Sequence, residues 1–376
     1  MPLIDNDLLS IQEARILLEH AGESQGVLEG LGDGLVRGFL QQLRERLLPQ
    51  AGDLAKQACR ESDYGNPEDE RALTEWVLTE MLDEVSSQFE VQQIYRDGWT
   101  HGVETGLPKG VVVSFLPDWL TVPTLLSQLL CAVKAKTPVI FSARVRTHAT
   151  CESLMAEVAD VAAACHYPLE ALGFLHQYSE EGDAWLACQP AVRMVIDSRE
   201  YERVVASDLG GKDVYHASIG NNPVFVEETA DLAHCAEEVV AGKSGMMPGA
   251  EQSLVVERAV DEKFRAQLKV RGCYFLSDEE AESLAKTLFK PCGKPYRELI
   301  GKSAFDMARR AGLVVPESTK VLVVEKPYVS RRPSTARCCP TTSRRAGAVP
   351  ARSASSSSST AGTATRFRSS PATARW

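Results

Sequence analysis

The chain has 376 residues, of which 44% are hydrophobic and 24% charged, and its formal net charge is −10. This length and composition predict a globular protein with room for two domains and separate cores. No apolar run is long enough to span a membrane, and the first 25 residues carry acids with no basic region before an apolar segment. We therefore expect a cytoplasmic protein with neither a membrane span nor a secretory signal.

Cysteine usage and charge distribution exclude further classes. The ten cysteines form no CxxC pair and no cluster with histidine at metal-ligand spacing, which predicts no metal site and free thiols in a reducing compartment. All nine basic residues after position 328 are arginines with no acid among them, so residues 1–328 hold 32 basic and 51 acidic side chains. Such an acidic body repels phosphates and is not a nucleic-acid surface.

The first ninety residues predict helices. Apolar residues in 5–20 lie near one helical face, with Asp5 or Asn6 as the cap, and 27–60 and 67–90 are further helices separated by a turn at 63–67. Residues 5–20 have two interpretations: an amphipathic address peptide that docks an enzyme into a protein shell, or the first packing helix of the domain. We favour the packing helix.

From Lys109 onward, short apolar strands alternate with helices. The predicted strands are 109–116, 137–142, 173–178, 192–197, 213–218 and 223–227. Because these strands are apolar almost throughout, they predict a parallel, doubly wound α/β sheet covered on both faces. Ligands of such sheets bind beyond the carboxyl ends of the strands, here at 116–124, 142–147, 198–202 and 218–223, and none of these segments contains GxGxxG.

A second α/β unit follows, with predicted strands 252–257, 273–276 and 320–325. The stretch Val239–Glu257 predicts the end of a helix, a Gly/Pro loop from Ser244 to Ala250, and a buried strand from Gln252. A loop of this kind can present a reactive side chain to a cleft. Here it offers no nucleophilic thiol.

These segments resemble a known family. The order GLPKGVVVSFLPDW, TPVIFS, IGNNPVFVEETADLAHCAEEVVAGKS, GAEQSLVVE and GCYFLSDEEAESLAKTLF is similar to that of the CoA-acylating aldehyde dehydrogenases. The resemblance implies an aldehyde dehydrogenase fold with a Rossmann-like nucleotide domain (1–235), part of a catalytic α/β domain (236–326) and an incomplete C-terminus. It also implies oligomerisation and oxidation of an aldehyde by NAD through a cysteine thioester, which CoA accepts as acyl-CoA.

The chain departs from the pattern of this family at the reactive positions. Pro248 stands in the position of the nucleophilic cysteine, and Leu120 stands where the family has an asparagine that donates to the oxyanion. Ser198-Arg199-Glu200 replaces a Thr-Gly-Gly turn, and Arg144-Val145 replaces a His-Pro pair. The candidate cofactor-binding residues that remain by resemblance are Phe141, Ser142, Gly220 and Asn221.

Residues 327–376 are rich in Ser, Arg, Ala, Thr and Pro, a composition that cannot bury a core and predicts disorder. A basic arm for nucleic acid or an anionic surface is one interpretation. We favour an out-of-frame translation product, with the last part of the catalytic domain missing.

Three functional hypotheses remain. The first is a degenerate, inactive acylating aldehyde dehydrogenase with NAD and CoA as the family's cofactor and co-substrate. The second is a non-catalytic paralogue that pairs with an active enzyme, as a homo-oligomer or hetero-oligomer and in association with a microcompartment. The third is an enzyme of altered chemistry that uses Cys235 or Cys273.

Overall fold

The computed structural model of the chain describes residues 5–88, 91, 95–96, 102–199, 209, 211–216, 222–244, 250–291, 296, 299, 301–325 and 341–346. For 95–96, 103–104 and 341–346 the description covers the backbone. Residue contacts divide the chain into two compact units, Met1–Ser218 and Ile219–Trp376.

The first unit begins with helices. They are α1 (Asn6–Glu29), α2 (Asp33–Leu47), a 3-10 turn (Leu48–Gln50), α3 (Ala51–Ser62), α4 (Pro67–Trp76), a π-helical turn (Val77–Met81) and α5 (Leu82–Ser87). The Asp5 carboxylate caps α1 by accepting from the N–H groups of Asp7 and Leu8, as predicted. The prediction that this helix ends at residue 20 is wrong, because packing buries Ala21, Ser24 and Leu28 and carries the helix past Gly22 and Gly26.

The second part of this unit is the alternating α/β region. Its elements are β1 (Tyr95–Arg96), β2 (Val103–Glu104), β3 (Val111–Phe115), α6 (Thr121–Lys134), β4 (Val139–Ser142), α7 (His148–Ala164), a 3-10 turn (Leu169–Ala171), β5 (Leu172–Phe174), α8 (Glu180–Cys188), β6 (Val192–Asp197) and β7 (Asp213–His216). Strands β1 and β2 form a separate antiparallel pair.

The main sheet of the first unit is parallel, in the order β5-β4-β3-β6-β7. This order corresponds to strands 3-2-1-4-5 of the Rossmann fold, and the strand order reverses between β3 and β6. Successive side chains of β3 enter different cores: Val112 packs with α2, α6 and α7, whereas Val111 and Val113 pack in the cluster that includes Ala14 of α1 and Leu186 of α8. The predicted doubly wound sheet is therefore confirmed.

Helix α1 approaches α8 closely. A Cβ built on Gly182, in the first turn of α8, would lie 2.9 Å from the Ser10 Cβ of α1. Only a residue without a side chain permits this packing. The role of α1 in the described structure is thus that of a packing helix.

The second unit contains another parallel sheet. Its elements are β8 (Asn222–Val226), α9 (Leu232–Ser244), β9 (Glu251–Glu257), α10 (Asp261–Val270), β10 (Cys273–Leu276), α11 (Asp278–Leu288), α12 (Ala304–Arg310), β11 (Val321–Glu325) and β12 (Thr341–Ala346). The strand order is β10-β11-β12-β9-β8. Ser277 and Glu280 form a complete capping box at the start of α11.

Two features differ from the sequence-based description. The predicted domain boundary at residue 235 falls inside α9, whereas the division between the units precedes β8, because β8 pairs with β9 in the second sheet. Residues 341–346, within the segment predicted to be disordered, form β12, whose backbone pairs with both β9 and β11. The backbone N–H and C=O groups on the facing edges of β9 and β11 need hydrogen-bond partners, and an extended segment supplies them.

Within the described residues no helix is both long and apolar enough to cross a membrane. The same part of the chain contains no group of three or more His, Cys, Asp or Glu side chains that could hold a metal ion.

Candidate nucleotide site at the sheet edge

The carboxyl ends of β3, β4 and β6 meet at the edge of the first sheet where nucleotides bind in doubly wound folds. Strand β3 ends at Phe115, β4 at Ser142 and β6 at Asp197. A buried polar cluster lies at this edge, and we call it the arginine cluster. It consists of Ser142, Asp183, Asp197 and Arg199.

Arg199 is the centre of the arginine cluster. Its Nε donates to Asp197 Oδ1 at 2.9 Å and its Nη1 donates to Asp183 Oδ2 at 3.0 Å. The guanidinium carbon lies 4.3 Å from the centroid of the Phe115 ring, within range of a cation–π contact. The Arg199 side chain is 10% exposed and that of Asp197 is fully buried, so the cation is paired internally rather than offered to a ligand.

Asp183 joins the arginine cluster from α8. Its Oδ1 accepts from the Ser142 hydroxyl at 2.6 Å. Burial raises the pKa of Asp183 to about 6, although the Ser142 hydrogen bond and the charges of Arg199 and Arg144 act in the opposite direction. Burial lowers the pKa of Arg199, but the hydrogen bond and charge of Asp197 outweigh it, and the net pKa lies above its ordinary value.

Gln128 of α6 connects the two strands at the reversal of strand order. Its Nε2 donates to the Ser198 hydroxyl at 3.0 Å, and its Oε1 accepts from the hydroxyl of Ser114 on β3. The NH₂ and the C=O of this side-chain amide therefore both have protein partners. A contact network of side chains thus ties the ends of β3 and β6 together.

Leu120, at the predicted oxyanion position, precedes α6 in a left-handed conformation with φ of 50°. Its side chain is largely buried and has no hydrogen-bond donor. The N–H of Val122, in the first turn of α6, instead donates to Glu70 of α4 at 3.4 Å. Burial raises the pKa of Glu70 to about 7, against weaker opposing hydrogen bonds from Cys59 and Val122.

The structure brings only part of the predicted site together. Phe141 is fully buried in the core, and the Ser142 hydroxyl is engaged by Asp183. Arg144 forms a 3.5 Å ion pair with Asp118. The predicted positions Gly220, Asn221, Pro248 and Glu200 lie outside the described residues.

Sequence reasoning missed Asp183, Gln128 and Glu70. Asp183 and Glu70 each lie in the first turn of a helix, where acids are ordinary, and Gln128 sits within an apolar helix without any local motif. Only Gln128 gave a signal in the sequence, because it is a polar residue among apolar neighbours in its helix.

In the second unit, α9 ends at Ser244 and β9 begins at Glu251, on either side of the segment that contains Pro248. Buried Lys243, near the end of α9, donates through Nζ to Gln252 Oε1 of β9 at 2.6 Å. Burial raises the pKa of the Cys235 thiol to about 11 and that of the Cys273 thiol to about 12. Both thiols are therefore protonated near neutral pH, the form that is a poor nucleophile.

The chain contains two parallel sheets, and the first has Rossmann strand order with helices on both faces. These features define an α/β fold of the aldehyde dehydrogenase type. The structure superimposes on an acetylating aldehyde dehydrogenase from Geobacillus thermoglucosidasius with a TM-score of 0.81 and 25% identity, covering 92% of this chain and 77% of that one. This likeness confirms the predicted fold class.

Sequence comparison identifies the same class. The chain is 28% identical over 326 residues to the acetylating succinate-semialdehyde dehydrogenase of Clostridium kluyveri, covering 84% of this chain and 70% of the relative. It is 26% identical over 276 residues to the bifunctional aldehyde-alcohol dehydrogenase of Escherichia coli K12, covering 72% of this chain. The chain spans about a third of that bifunctional relative, since the match covers 31% of its length. No family model matches the chain.

The homologues and structural neighbours of this chain are thus CoA-acylating aldehyde dehydrogenases, as the sequence motifs indicated. Structures with this fold include a propionaldehyde dehydrogenase of Rhodopseudomonas palustris with bound propionyl-CoA and one from the fucose-utilisation microcompartment of Clostridium phytofermentans. Their identities to this chain are 21% and 19%, and their TM-scores are both 0.74.

Proposed function

We propose that this chain is an aldehyde dehydrogenase-like protein that does not itself catalyse its relatives' reaction. That reaction is the conversion of an aldehyde, NAD and CoA to acyl-CoA and NADH. The observation that carries the proposal is the position of Arg199. It is enclosed by Asp197 and Asp183 at the edge of the sheet where a dinucleotide would bind.

The residues at this edge do not fit a dinucleotide. A nucleotide approaches the end of β6 closely only where small residues leave the backbone accessible. Here the segment after β6 carries Ser198 and Arg199, with the arginine bound to the strand's own last residue and to α8. Admitting a cofactor would break ion pairs that are almost completely buried, which is costly because the separated charges lose their partners.

The sequence also lacks the nucleophile. No cysteine occurs between Cys235 and Cys273, and burial keeps both of these thiols protonated near neutral pH. Removal of one oxyanion donor costs about 10² to 10³ in rate, and loss of a catalytic nucleophile costs on the order of 10⁶. Together these changes support an inactive chain.

The test measures NADH formation and cofactor binding by the full chain. Propanal, acetaldehyde and succinate semialdehyde are each supplied with NAD or NADP and CoA, and an active acylating relative serves as the positive control. We expect no NADH above the rate without protein, and no saturable NAD binding by calorimetry. Acyl-CoA production by the unmodified chain would refute the proposal, and loss of that activity in Cys235→Ala or Cys273→Ala would instead identify a working thiol.

A second candidate function is that of a non-catalytic partner for an active acylating enzyme. The relatives favour it, because one structural neighbour comes from a bacterial microcompartment, in which enzymes are held together. We propose that this chain forms a homo-oligomer or joins an active paralogue. Co-expression with such a paralogue should give a co-eluting complex in size-exclusion chromatography, and separate elution of the two proteins would count against it.

A further inference from the structure

Glu70, in the first part of α4, is a buried acid outside the arginine cluster. Its exposed fraction is 3%. The carboxyl group accepts from the Cys59 thiol of α3 and from the Val122 N–H of α6, each at 3.4 Å. An N–H···O hydrogen bond is ordinarily about 2.7 to 3.2 Å long, and a thiol is a weak donor. Both hydrogen bonds are therefore weak.

Within the described residues, no cationic side chain pairs with this carboxyl group. The thiol of Cys151 on α7 is fully buried, and its pKa is raised by burial and then by the charges of Glu61 and Glu70. The first two turns of α6 carry no titratable side chain. The other charged groups here have partners of their own: Arg71 of α4 pairs with Glu75 at 2.7 Å, Glu61 of α3 accepts from the N–H groups of Ala149 and Thr150 at 2.8 Å, and Arg146 lies over the Tyr64 ring.

The N-terminus of α6 uses Glu70 as an acceptor. The cap residue of this helix, Leu120, has a left-handed backbone with φ of 50° and makes no side-chain capping hydrogen bond. The first N–H groups of a helix have no acceptor inside the helix. Glu70 supplies one to Val122 from α4, so it connects α4 to the segment 116–120, which we call the β3–α6 turn.

Burial makes the ionised form of Glu70 unfavourable. It raises the pKa of Glu70 from 4.5 to about 7, against the two weak hydrogen bonds. Between these pH values the folded chain binds more protons than a form in which Glu70 is hydrated. Any opening that hydrates the carboxylate therefore becomes more favourable as pH rises through this window, and the effect levels off above about pH 7.

We propose that Glu70 is a proton-operated switch at the seam between α4 and α6, closed when the acid holds its proton and open when it does not. The seam is the packing contact of Pro67–Trp76 with Thr121–Lys134. Opening hydrates the carboxylate and releases the β3–α6 turn. Helix α6 also carries Gln128, which connects β3 to Ser198, so opening acts on the carboxyl edge of the first sheet. The inference goes beyond the proposed function, since neither catalysis nor cofactor binding enters it.

Cys151 reports the opening, because it is fully buried and lies within range of the Glu70 charge. The full chain and its Glu70→Gln variant are labelled with N-ethylmaleimide at pH 6.0 and 8.5, and the rate at Cys151 is measured by peptide mass spectrometry. Dividing the rate of the unmodified chain by that of the variant at the same pH removes the ordinary rise in thiolate concentration. We expect this ratio to rise roughly tenfold from pH 6.0 to 8.5.

Two controls separate this local opening from other events. Cys235 is buried in the second unit, and the same ratio measured there should not change with pH. Labelling is then repeated in 1 M urea. A local opening exposes little surface, so its rate should barely change, whereas exchange through global unfolding accelerates with urea.

A Cys151 ratio that is equal at both pH values would overturn the proposal. Labelling of Cys151 that accelerates in urea as steeply as global unfolding would also overturn it, since the seam would then not open by itself. If Glu70→Gln does not fold, the emission of Trp119 in the β3–α6 turn decides, as the difference between the unmodified chain and Trp119→Phe. We expect a transition near pH 7, and a flat titration would overturn the proposal. All of these measurements are made without aldehyde, CoA or NAD, so their outcome is separate from the test of catalytic inactivity.

Discussion

Replacement of Arg199 by alanine tests the arginine cluster most directly. The side chain balances two carboxylates, Asp197 and Asp183, at 2.9 and 3.0 Å, and each of these carboxylates is at most 5% exposed. Removal of the cation leaves both buried acids without their principal counter-charge. Breaking a buried pair in this way typically costs about 3 to 5 kcal/mol.

The pH dependence of the loss separates the electrostatic effect from simple loss of packing. The pKa of Asp183 in the folded chain is about 6, above its usual 3.8. Between these values the folded state binds more protons than the unfolded state, so the contribution of Asp183 to stability falls as pH rises through this window. Without Arg199 the pKa rises further, because the arginine charge lowers it.

We therefore expect the free energy of unfolding of the Arg199→Ala variant to be about 3 to 5 kcal/mol lower than that of the unmodified chain at pH 7.5. At pH 5 Asp183 is protonated, and the loss should be smaller by at least about 1 kcal/mol. The measurement is urea denaturation of both chains at the two pH values. The matched control is Arg146→Ala, since Arg146 lies over the Tyr64 ring at 5.7 Å and donates to the Ser62 carbonyl at 3.4 Å.

The free energy of unfolding of the Arg146→Ala control should fall by no more than about 1 kcal/mol, and by the same amount at both pH values. A loss below about 1 kcal/mol for Arg199→Ala, or a loss that does not change with pH, would refute the assignment of Arg199 as the counter-charge of buried carboxylates.

Three further predictions concern other parts of the chain. Glu70→Gln should raise the free energy of unfolding at pH 8 by up to about 3 kcal/mol and change it little at pH 4.5. The reason is that burial raises the pKa of Glu70 in the folded chain to about 7, so its ionised form is unfavourable above that pH. A gain in urea denaturation that is equal at both pH values would contradict this. Gly182→Ala should destabilise the chain by roughly 1 to 3 kcal/mol, since the added methyl meets α1, whereas Gly22→Ala has open space and should stabilise it by about 0.5 to 1 kcal/mol; thermal melts of the two variants that shift in the same direction would sink the argument. Iodoacetamide at pH 7.5 should label exposed Cys188 at least about tenfold faster than buried Cys235, as measured by mass spectrometry of the native chain, and comparable rates would show that the Cys235 thiol is accessible and ionised.

The arginine cluster could not have been predicted from local pattern. The sequence shows Arg199 as a departure from the family's Gly-Gly turn, but its partner Asp183 lies 16 residues earlier, in the first turn of a different element. Gln128 and Ser198 are 70 residues apart, and Glu70 and Val122 are 52 apart. Which of several distant polar residues meet is decided by how helices pack on the sheet, and sequence periodicity carries no information about that choice.

The local sequence pattern by itself determined much of the fold class and of the family resemblance. Short apolar runs between helical segments predicted one parallel, doubly wound sheet and a second α/β unit, because period and length separate a buried strand from a helix. The absence of cysteine between positions 235 and 273 is a fact of the sequence alone. Motif order identified the class of relatives, which fold and sequence comparison confirm.

Tertiary structure alone decided the rest. It extended α1 through Gly22 and Gly26 by burying one face of the helix, and it placed the Thr/Arg-rich segment 341–346 as a strand between two apolar neighbours. In both places the local preference was weak or opposed to the result. Burial and backbone pairing, which depend on what lies alongside in space, supplied the larger free energy.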